Sequence, residues 1–270
     1  MFENDYSIIF YTQEDWTTLT GLREIMNLDS EELKSKINEV VVRMRELIEN
    51  LPFMNPTTSR GAWQLRQKLD ISIEKLNANA NGNDLEDSIE RLLVACGENL
   101  YNQFAVIAGV INNQNRKSVD IVRAIDEIIQ EMIEFKEWKP DAGHFLYAAL
   151  EILENFFLYK RVLDENIQSV HNLDKPQLSR QICLTVLAPR SYYQIEFREQ
   201  AIALAKYLND VLLQVTDYDL SFSFQELPVD FTRDNCVSFF RSINNNTPIN
   251  LEFIKECRES FLHRAPLQLM

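Results

Sequence analysis

Two pairs of residues in this 270-residue chain have the types and spacing of groups that act together in catalysis. Arg258 and His263 are separated by four residues in the segment EFIKECRESFLH (252–263), and such a pair can act on the phosphodiester of RNA. Asp141 lies three residues before His144, and a carboxylate at that spacing can orient an imidazole as a general base. These four side chains are therefore the candidate catalytic residues.

Helix geometry separates the members of the first pair. At about 100° per residue, Arg258 and His263 project roughly 140° apart, so they do not converge on an unbroken helix. His263 shares a face instead with Glu252, Glu256 and Glu259, and an acidic face repels a phosphodiester. In the second pair, an aspartate near a helix start commonly caps the helix. Neither pair is sufficient to predict a catalytic site.

The Arg-x4-His spacing resembles the Arg-x4-6-His motif of the HEPN-type ribonucleases. Members of that family are all-helical proteins whose arginine and histidine act together on RNA, usually across a dimer. The resemblance rests on Arg258 and His263, and Glu259 stands where family members often have a small polar residue. It implies a ribonuclease as an alternative function.

A second resemblance concerns the end of the sequence and bears on localisation. Glutamates followed by the apolar segment PLQLM (266–270) look like the translocation signals of some bacterial type IV secretion substrates. That resemblance implies a secreted effector, translocated into a host cell without a cleaved signal peptide. The segment MFENDYSIIFY (1–11) carries acidic residues where a secretory signal carries Lys or Arg. The main expectation is therefore a cytoplasmic protein.

The remaining motifs argue against a bound metal or cofactor. The three histidines belong to no HExxH motif, and none has a glutamate three residues before it. The four cysteines form no CxxC pair and are expected to be reduced thiols in the core. The chain also lacks a P-loop and a GxSxG elbow. No metal and no cofactor are predicted, although a metal site assembled from glutamates alone stays open.

The composition limits the partners. Hydrophobic residues make up 46% of the chain and charged residues 25%, which is typical of a folded protein. The formal net charge of −14 repels phosphate backbones, so we expect no DNA binding, do not expect RNA binding, and expect a basic protein as the fitting partner. The longest apolar run, FAVIAGVI (104–111), is too short to cross a membrane.

Apolar residues recur at intervals of three and four over most of the chain, which predicts amphipathic helices. Alternating apolar residues in 217–231 predict a strand, and the β-branched segment 6–11 is its expected partner. The fold class predicted is mainly all-α: one bundle-like domain over 1–270 of about 8–10 helices with at most one small two-stranded β element. A subdomain boundary is expected, if anywhere, near 172–191. The helices are expected to begin near 12, 29, 62, 85, 118, 142, 176, 191, 232 and 251.

Because no catalytic motif is supported, the predicted function is that of a helical interaction protein, an adaptor, regulator or effector that binds a partner protein. Homo-oligomer formation stays open. Two groups of side chains are the candidate partner-binding residues. The first is aromatic, with core packing as its alternative role. The second is the acidic face near the end of the sequence. The aromatic group is Phe222, Phe224 and Phe231, and the acidic group is Glu252, Glu256 and Glu259.

Overall fold

The structure is a computed structural model that describes residues 19–50, 85–106, 118–137, 142–165, 175–193, 195–227, 232–244 and 251–268. These segments contain seven α-helices and six β-strands. The helices are α1 (Leu19–Met26), α2 (Ser30–Glu49), α3 (Leu85–Cys96), α4 (Ala142–Asp164), α5 (Ile195–Val215), α6 (Arg233–Asn244) and α7 (Leu251–Leu262). The strands are β1 (Leu100–Ala105), β2 (Ser118–Ile125), β3 (Ile128–Phe135), β4 (Gln177–Pro189), β5 (Asp219–Leu227) and β6 (Ala265–Pro266).

The six strands form one mixed sheet in the order β1-β2-β3-β4-β5-β6. The pairs β1–β2, β2–β3 and β5–β6 are antiparallel, whereas β3–β4 and β4–β5 are parallel. A tight turn joins β2 to β3. The two parallel steps are made through α4 and α5, since a parallel pair needs a long crossover connection. The chain is therefore an α/β protein.

The prediction of a mainly all-α, bundle-like domain is wrong. Two segments predicted as helices, near 118–138 and 176–189, form β2, β3 and β4, and part of a third, 85–111, forms β1. Val and Ile are frequent in these segments, and they lose side-chain freedom in a helix but pack well on a pleated surface. The resulting sheet is also much larger than one small two-stranded element.

The turn between β2 and β3 shows why the helical pattern was misleading. Ile125 pairs with Ile128, so Asp126 and Glu127 form the turn, with φ angles of 48° and 62°. This left-handed backbone usually occurs at Asn-Gly or Asp-Gly, so the sequence Asp-Glu does not predict a turn. Apolar residues therefore appear to continue through the turn at intervals that also fit a helix.

Helices cover both faces of the sheet and create two cores. On one face α1, α2, α4 and α5 form the larger core, to which α4 contributes Phe145, Phe156 and Tyr159. On the other face α3, α6 and α7 enclose a smaller core with Ile133 and Leu227 from the sheet. Because successive strand residues point to opposite faces, one strand can serve both cores.

Several element predictions are confirmed. The helices expected from about 29, 142, 191, 232 and 251 are α2, α4, α5, α6 and α7, and the alternating segment 217–231 contains β5. Segment 6–11, the expected partner of β5, and the predicted helix from 62 lie outside the described residues. The range 172–191, named above as a possible subdomain boundary, includes β4, which pairs with a strand on each side. No described helix has the length and hydropathy needed to cross a membrane.

Asp29 caps α2, as its spacing to Glu32 predicts. Its Oδ1 accepts hydrogen bonds from the backbone N–H groups of Glu31 and Glu32, both at 3.0 Å. Replacing Asp29 by alanine should therefore lower the free energy of unfolding by about 1 kcal/mol, measured by urea denaturation. The variant Asp29→Asn keeps an oxygen acceptor and should stay within about 0.5 kcal/mol of the wild type. Equal losses in both variants would show that the capping bond is not the cause.

Candidate functional site

Arg258 and His263 have separate contacts in the structure. The Arg258 guanidinium lies 3.2 Å from Glu98 Oε1 in an exposed ion pair. His263 is exposed just after α7, and its backbone N–H donates to the Glu259 carbonyl at 2.8 Å. The three candidate partner-binding glutamates of α7 are exposed: Glu252, Glu256 and Glu259. Binding of a basic partner at these residues stays a prediction.

The other candidates from the sequence fall in several places. His144 lies in the first turn of α4, and Asp141 lies outside the described residues. Phe222 and Phe224 on β5 are 3% and 1% exposed, so their side chains pack in the core rather than line a surface. Phe231 lies outside the described residues. Core packing, the alternative role considered for the aromatic group, is what Phe222 and Phe224 show.

A different set of ionisable side chains lies around β2 and β3, with α3 on one face of the sheet and α4 on the other. Helix α3 contributes two glutamates and α4 one, while β2 contributes an aspartate and β3 a glutamate, and a lysine follows directly after β3. Each of these groups acts electrostatically on others of the set. We call this set the carboxylate–lysine cluster. Its members are Glu86, Glu90, Asp120, Glu134, Lys136 and Glu151.

Strand geometry fixes three members of the cluster. Glu134 and Lys136 are two residues apart, so their side chains point to the same face. The register of β2 and β3 pairs Ile121 with Ile133, and one step further it places Asp120 opposite Glu134. Side chains directly opposite on antiparallel strands are neighbours. Two carboxylates and an ammonium are thus held together by backbone pairing.

Hydrogen bonds orient these groups. Asp120 Oδ2 accepts from the backbone N–H of Phe135 at 2.9 Å. The Lys136 ammonium donates to Glu134 Oε1 at 2.7 Å and to Glu151 Oε2 at 3.2 Å. Lys136 therefore lies between a carboxylate of β3 and a carboxylate of α4.

Glu134 is a buried member of the cluster whose hydrogen bonds are incomplete. It is only 3% exposed, and its Oε2 has no hydrogen-bond partner among the described residues. Buried polar atoms almost always have a partner, and an exception needs an explanation such as a bound ion. An unsatisfied carboxylate oxygen that faces other carboxylates is suited to a cation.

The electrostatic environment agrees with this interpretation. Burial, followed by repulsion from Glu90, raises the pKa of Asp120 well above its usual range. Burial, followed by repulsion from Asp120, does the same to the pKa of Glu134. Burial acts against the Lys136 ammonium, but attraction to Glu134, Glu151 and the other acids outweighs it and raises the lysine pKa. Perturbed groups of this kind concentrate at functional sites.

Four carboxylates act on the Lys136 ammonium, those of Glu134, Glu151, Glu86 and Asp120. Among the described residues, no three His, Cys, Asp or Glu side chains already stand in a metal-binding arrangement. The Lys136 ammonium bridges Glu134 and Glu151.

The opposite face of β3 carries a contrasting network around Glu131. Glu131 Oε1 accepts from Thr185 Oγ1 at 2.8 Å, and Oε2 accepts from Arg264 Nη2 at 2.7 Å. Arg123 adds an ion pair to the same oxygen at 3.2 Å. Both oxygens of this buried glutamate are satisfied, as expected of a structural network. Glu134, three residues later on the other face, is not compensated in this way.

A cavity of about 410 Å³ lies elsewhere, where the C-terminal ends of α2, α4 and α5 meet. Two arginine side chains there donate hydrogen bonds to backbone carbonyls at helix C-terminal ends. Arg45 Nη1 donates to the Val215 carbonyl at 3.0 Å, and Arg161 Nη1 donates to the Ile48 carbonyl. Carbonyls of a last helical turn need such donors, so this cavity is explained by helix capping.

The fold and the cluster define an α/β protein with a partly buried carboxylate–lysine cluster around adjacent antiparallel strands. No protein-family model matches the chain, and no curated protein or solved structure shows a significant match. The site therefore has to be interpreted from its own chemistry. Sequence reasoning left a glutamate-only metal site open but named none of these residues. The signal that could have found them is the Glu134-x-Lys136 spacing in a β-branched segment, with Asp120 near its start.

Proposed function

We propose that the chain is a divalent-metal-dependent hydrolase of nucleic-acid phosphodiester bonds, with the carboxylate–lysine cluster as its centre. One observation carries this proposal. Asp120 and Glu134 face each other across β2 and β3 beside Lys136, and the buried Glu134 has a carboxylate oxygen without a donor among the described residues.

The ligand chemistry favours a hard divalent cation. Carboxylate oxygens suit Mg²⁺ and Mn²⁺, whereas Zn²⁺ sites usually include His or Cys. Mg²⁺ is commonly held by one or two protein carboxylates and by the phosphate of its substrate. Asp120 and Glu134 are placed to be those carboxylates, and the cation would relieve their mutual repulsion.

Lys136 points to the substrate class. A lysine ammonium beside carboxylates and a cation is a common way to bind a phosphate as a point charge. With a cation bound to Glu134, the Lys136 ammonium would be available to neutralise a phosphoryl oxygen. Carboxylates, a cation and a lysine together compensate the charge that develops when a phosphate ester is attacked.

The reaction that fits these groups is hydrolysis. The oxygen of a water attacks phosphorus, the P–O bond to the leaving group breaks, and a proton is transferred to the leaving oxygen. The products are a phosphate monoester and a hydroxyl. A bound metal makes the water a stronger nucleophile by lowering its pKa. Asp120 and Glu134 would hold the cation, and Lys136 would stabilise charge on the phosphoryl group.

The acidic net charge does not oppose this proposal. A charge of −14 repels a polyanion on average, and this was the basis for expecting no DNA binding. Bound cations are often the largest local charges in a site and reverse its sign. Attraction at the cluster then depends on the metal, which makes cation dependence a direct test.

The full-length protein should cleave nucleic acid only when a divalent cation is present. Single-stranded DNA, double-stranded DNA and single-stranded RNA are incubated with Mg²⁺, with Mn²⁺ or with EDTA, and products are separated by gel electrophoresis. We expect cleavage with either cation and none in EDTA, because the carboxylates act through the metal. Bis(p-nitrophenyl) phosphate, a small diester, reports the chemistry without nucleic-acid binding.

Two variants separate this centre from the Arg-x4-His alternative. Arg258→Ala and His263→Ala alter exposed side chains and should retain the wild-type rate. Cleavage that persists in EDTA and is lost in both variants would favour the HEPN-like alternative instead. Absence of cleavage of every substrate with either metal would contradict the proposed function.

A further inference from the structure

The Lys136 ammonium is held by two carboxylates that differ in exposure. It donates to Glu134 Oε1 at 2.7 Å and to Glu151 Oε2 at 3.2 Å. The Glu134 side chain is 4% exposed, whereas those of Lys136 and Glu151 are both 21% exposed. The pair of Lys136 with Glu151 therefore lies on the side of the cluster that solvent reaches, and a phosphodiester would approach from this side.

The backbones that carry this pair are fixed independently of the two side chains. The backbone N–H of Lys136 donates to the Leu187 carbonyl at 2.9 Å, which continues the pairing of β3 with β4 by one residue. Glu151 lies within α4 between the buried residues Leu150 and Ile152. The position of the ammonium thus depends mainly on the flexible stem of the lysine, and a carboxylate on a fixed helix restricts that stem.

A cation at the cluster would change what holds the lysine. The cation and the ammonium repel each other, which weakens the bond from Lys136 to Glu134. Glu151 is not grouped with Asp120 and Glu134 as a third metal ligand in the segments that the structure describes. Its bond to the ammonium can therefore persist when a cation binds Glu134. Without this bond the lysine stem could turn its charge into the solvent.

We propose that Glu151 is a positioning residue that holds the Lys136 ammonium on the solvent-facing side of the cluster, where a phosphoryl oxygen would meet it. The inference rests on the proposed function. It assigns to Glu151 no contact with the cation or the substrate. Hydrogen-bond partners of this kind fix the orientation of a group that acts on a ligand. Since the role requires an oxygen that accepts from the ammonium, an amide oxygen should be able to replace the carboxylate.

The test uses the full-length protein with Mn²⁺ and bis(p-nitrophenyl) phosphate. Glu151→Ala removes the acceptor, and we expect kcat/KM to fall by about 10- to 100-fold. Mn²⁺ affinity, measured by calorimetric titration, should stay within a few-fold of the wild type. Glu151→Gln keeps an oxygen acceptor and should retain most of the wild-type kcat/KM. A residue needed only for folding would lower the melting temperature without separating kcat/KM from Mn²⁺ affinity.

Asp164→Ala is the matched control, because Asp164 also lies on α4 and accepts a hydrogen bond from a lysine, Lys160. It removes a lysine–carboxylate pair outside the cluster and should leave kcat/KM and Mn²⁺ affinity unchanged. If Glu151→Ala does not fold, Glu151→Gln decides the inference. Wild-type kcat/KM in that variant supports the hydrogen-bonding role, and a loss of about 10-fold or more contradicts it.

Three further results would overturn the inference. Wild-type or higher kcat/KM in a folded Glu151→Ala protein removes Glu151 from the site while leaving the proposed function intact. A fall in Mn²⁺ affinity of about 10-fold or more in the same protein would make Glu151 a ligand of the cation instead. No cleavage by the wild type with Mn²⁺ overturns the proposed function and this inference together.

Discussion

Replacing Asp120 by asparagine is expected to abolish metal-dependent cleavage and, in the same protein, to raise the melting temperature of the metal-free form. Asparagine keeps an oxygen for the Phe135 N–H but removes a carboxylate opposite Glu134. Metal ligation supplies several kcal/mol in the transition state, so the rate should fall by about 100-fold or more. Removal of a neighbouring like charge relieves repulsion and stabilises the fold. Cleavage assays and scanning calorimetry in EDTA measure the two effects.

Asp219→Asn provides the control for Asp120→Asn. Asp219 is an exposed residue at the start of β5, and its replacement changes the net charge equally. We expect an unchanged cleavage rate and a stability change within about 0.5 kcal/mol. Wild-type cleavage by Asp120→Asn would exclude Asp120 from the centre. A lower melting temperature of that variant in EDTA would show that repulsion does not dominate at this carboxylate.

The stabilisation by Asp120→Asn should depend on pH. Burial and repulsion from Glu90 raise the pKa of Asp120 in the folded state, so the folded protein binds this proton more tightly than the unfolded chain does. Its contribution to stability is fully present below the unfolded pKa of about 3.9 and is lost as the pH rises through the raised value. The difference between variant and wild type should therefore grow from acidic to neutral pH. Saturating Mn²⁺ should add stability to the wild type and not to the variant.

Local signals in the sequence predict most of the helices correctly. Asp29 caps α2 as its spacing indicates, and the apolar stripe of that helix is buried at Leu33, Ile37 and Met44. The alternation of β5 is equally informative, because Leu220 and Phe222 face the core. These elements are half-buried, so their periodicity records which side meets the core.

The strands β2, β3 and β4 lack such a signal. β4 lies between β3 and β5 and is buried on both faces toward its end, where a continuous apolar run fits a helix or a strand equally well. β2 and β3 are joined by Asp126-Glu127 without glycine, so the sequence has no residue typical of a hairpin turn at this point. Only pairing with distant strands settles these segments.

The error in secondary structure also concealed the site. On a helix, Glu134 and Lys136 would project about 200° apart and could not act together. On β3 they share a face, and antiparallel pairing brings Asp120 opposite Glu134. Glu90 and Glu151 join them through the packing of α3 and α4, which the spacing of residues in the sequence does not encode. The glutamate-only metal site was open from the sequence, but its members depend on the sheet.

The two faces of β3 treat a buried glutamate in opposite ways. Glu131 has donors for both oxygens, whereas Glu134 shares one lysine with Glu151 and keeps an unsatisfied oxygen. Hydrogen-bond and ion-pair partners for a buried carboxylate stabilise the fold. A buried carboxylate oxygen that lacks a partner can bind a cation. Proteins commonly sacrifice stability in this way at functional sites. The contrast predicts that substitutions on the two faces differ in sign.

Replacing Arg264 by methionine is expected to destabilise the protein by about 3 kcal/mol. Methionine keeps much of the apolar stem but leaves the buried Glu131 without its closest cation. Breaking a buried pair costs about 3–5 kcal/mol, and Arg123 and Thr185 should hold the loss near the lower end. The variant also loses the bond from Arg264 Nε to Gln225 Oε1 at 2.8 Å, which attaches the start of β6 to β5. Urea denaturation measures the free energy of unfolding.

Arg258→Met is the matched control, since it breaks an exposed arginine–glutamate pair with Glu98. Exposed pairs contribute about 0–1 kcal/mol, so this variant should unfold almost as the wild type does. Mn²⁺ affinity at the carboxylate–lysine cluster should remain unchanged in Arg264→Met at temperatures where it is folded, because Glu131 and Glu134 lie on opposite faces of β3. Similar small losses in both variants would show that Glu131 is compensated without Arg264. A large loss of Mn²⁺ affinity in folded Arg264→Met would show that the two faces are coupled through β3.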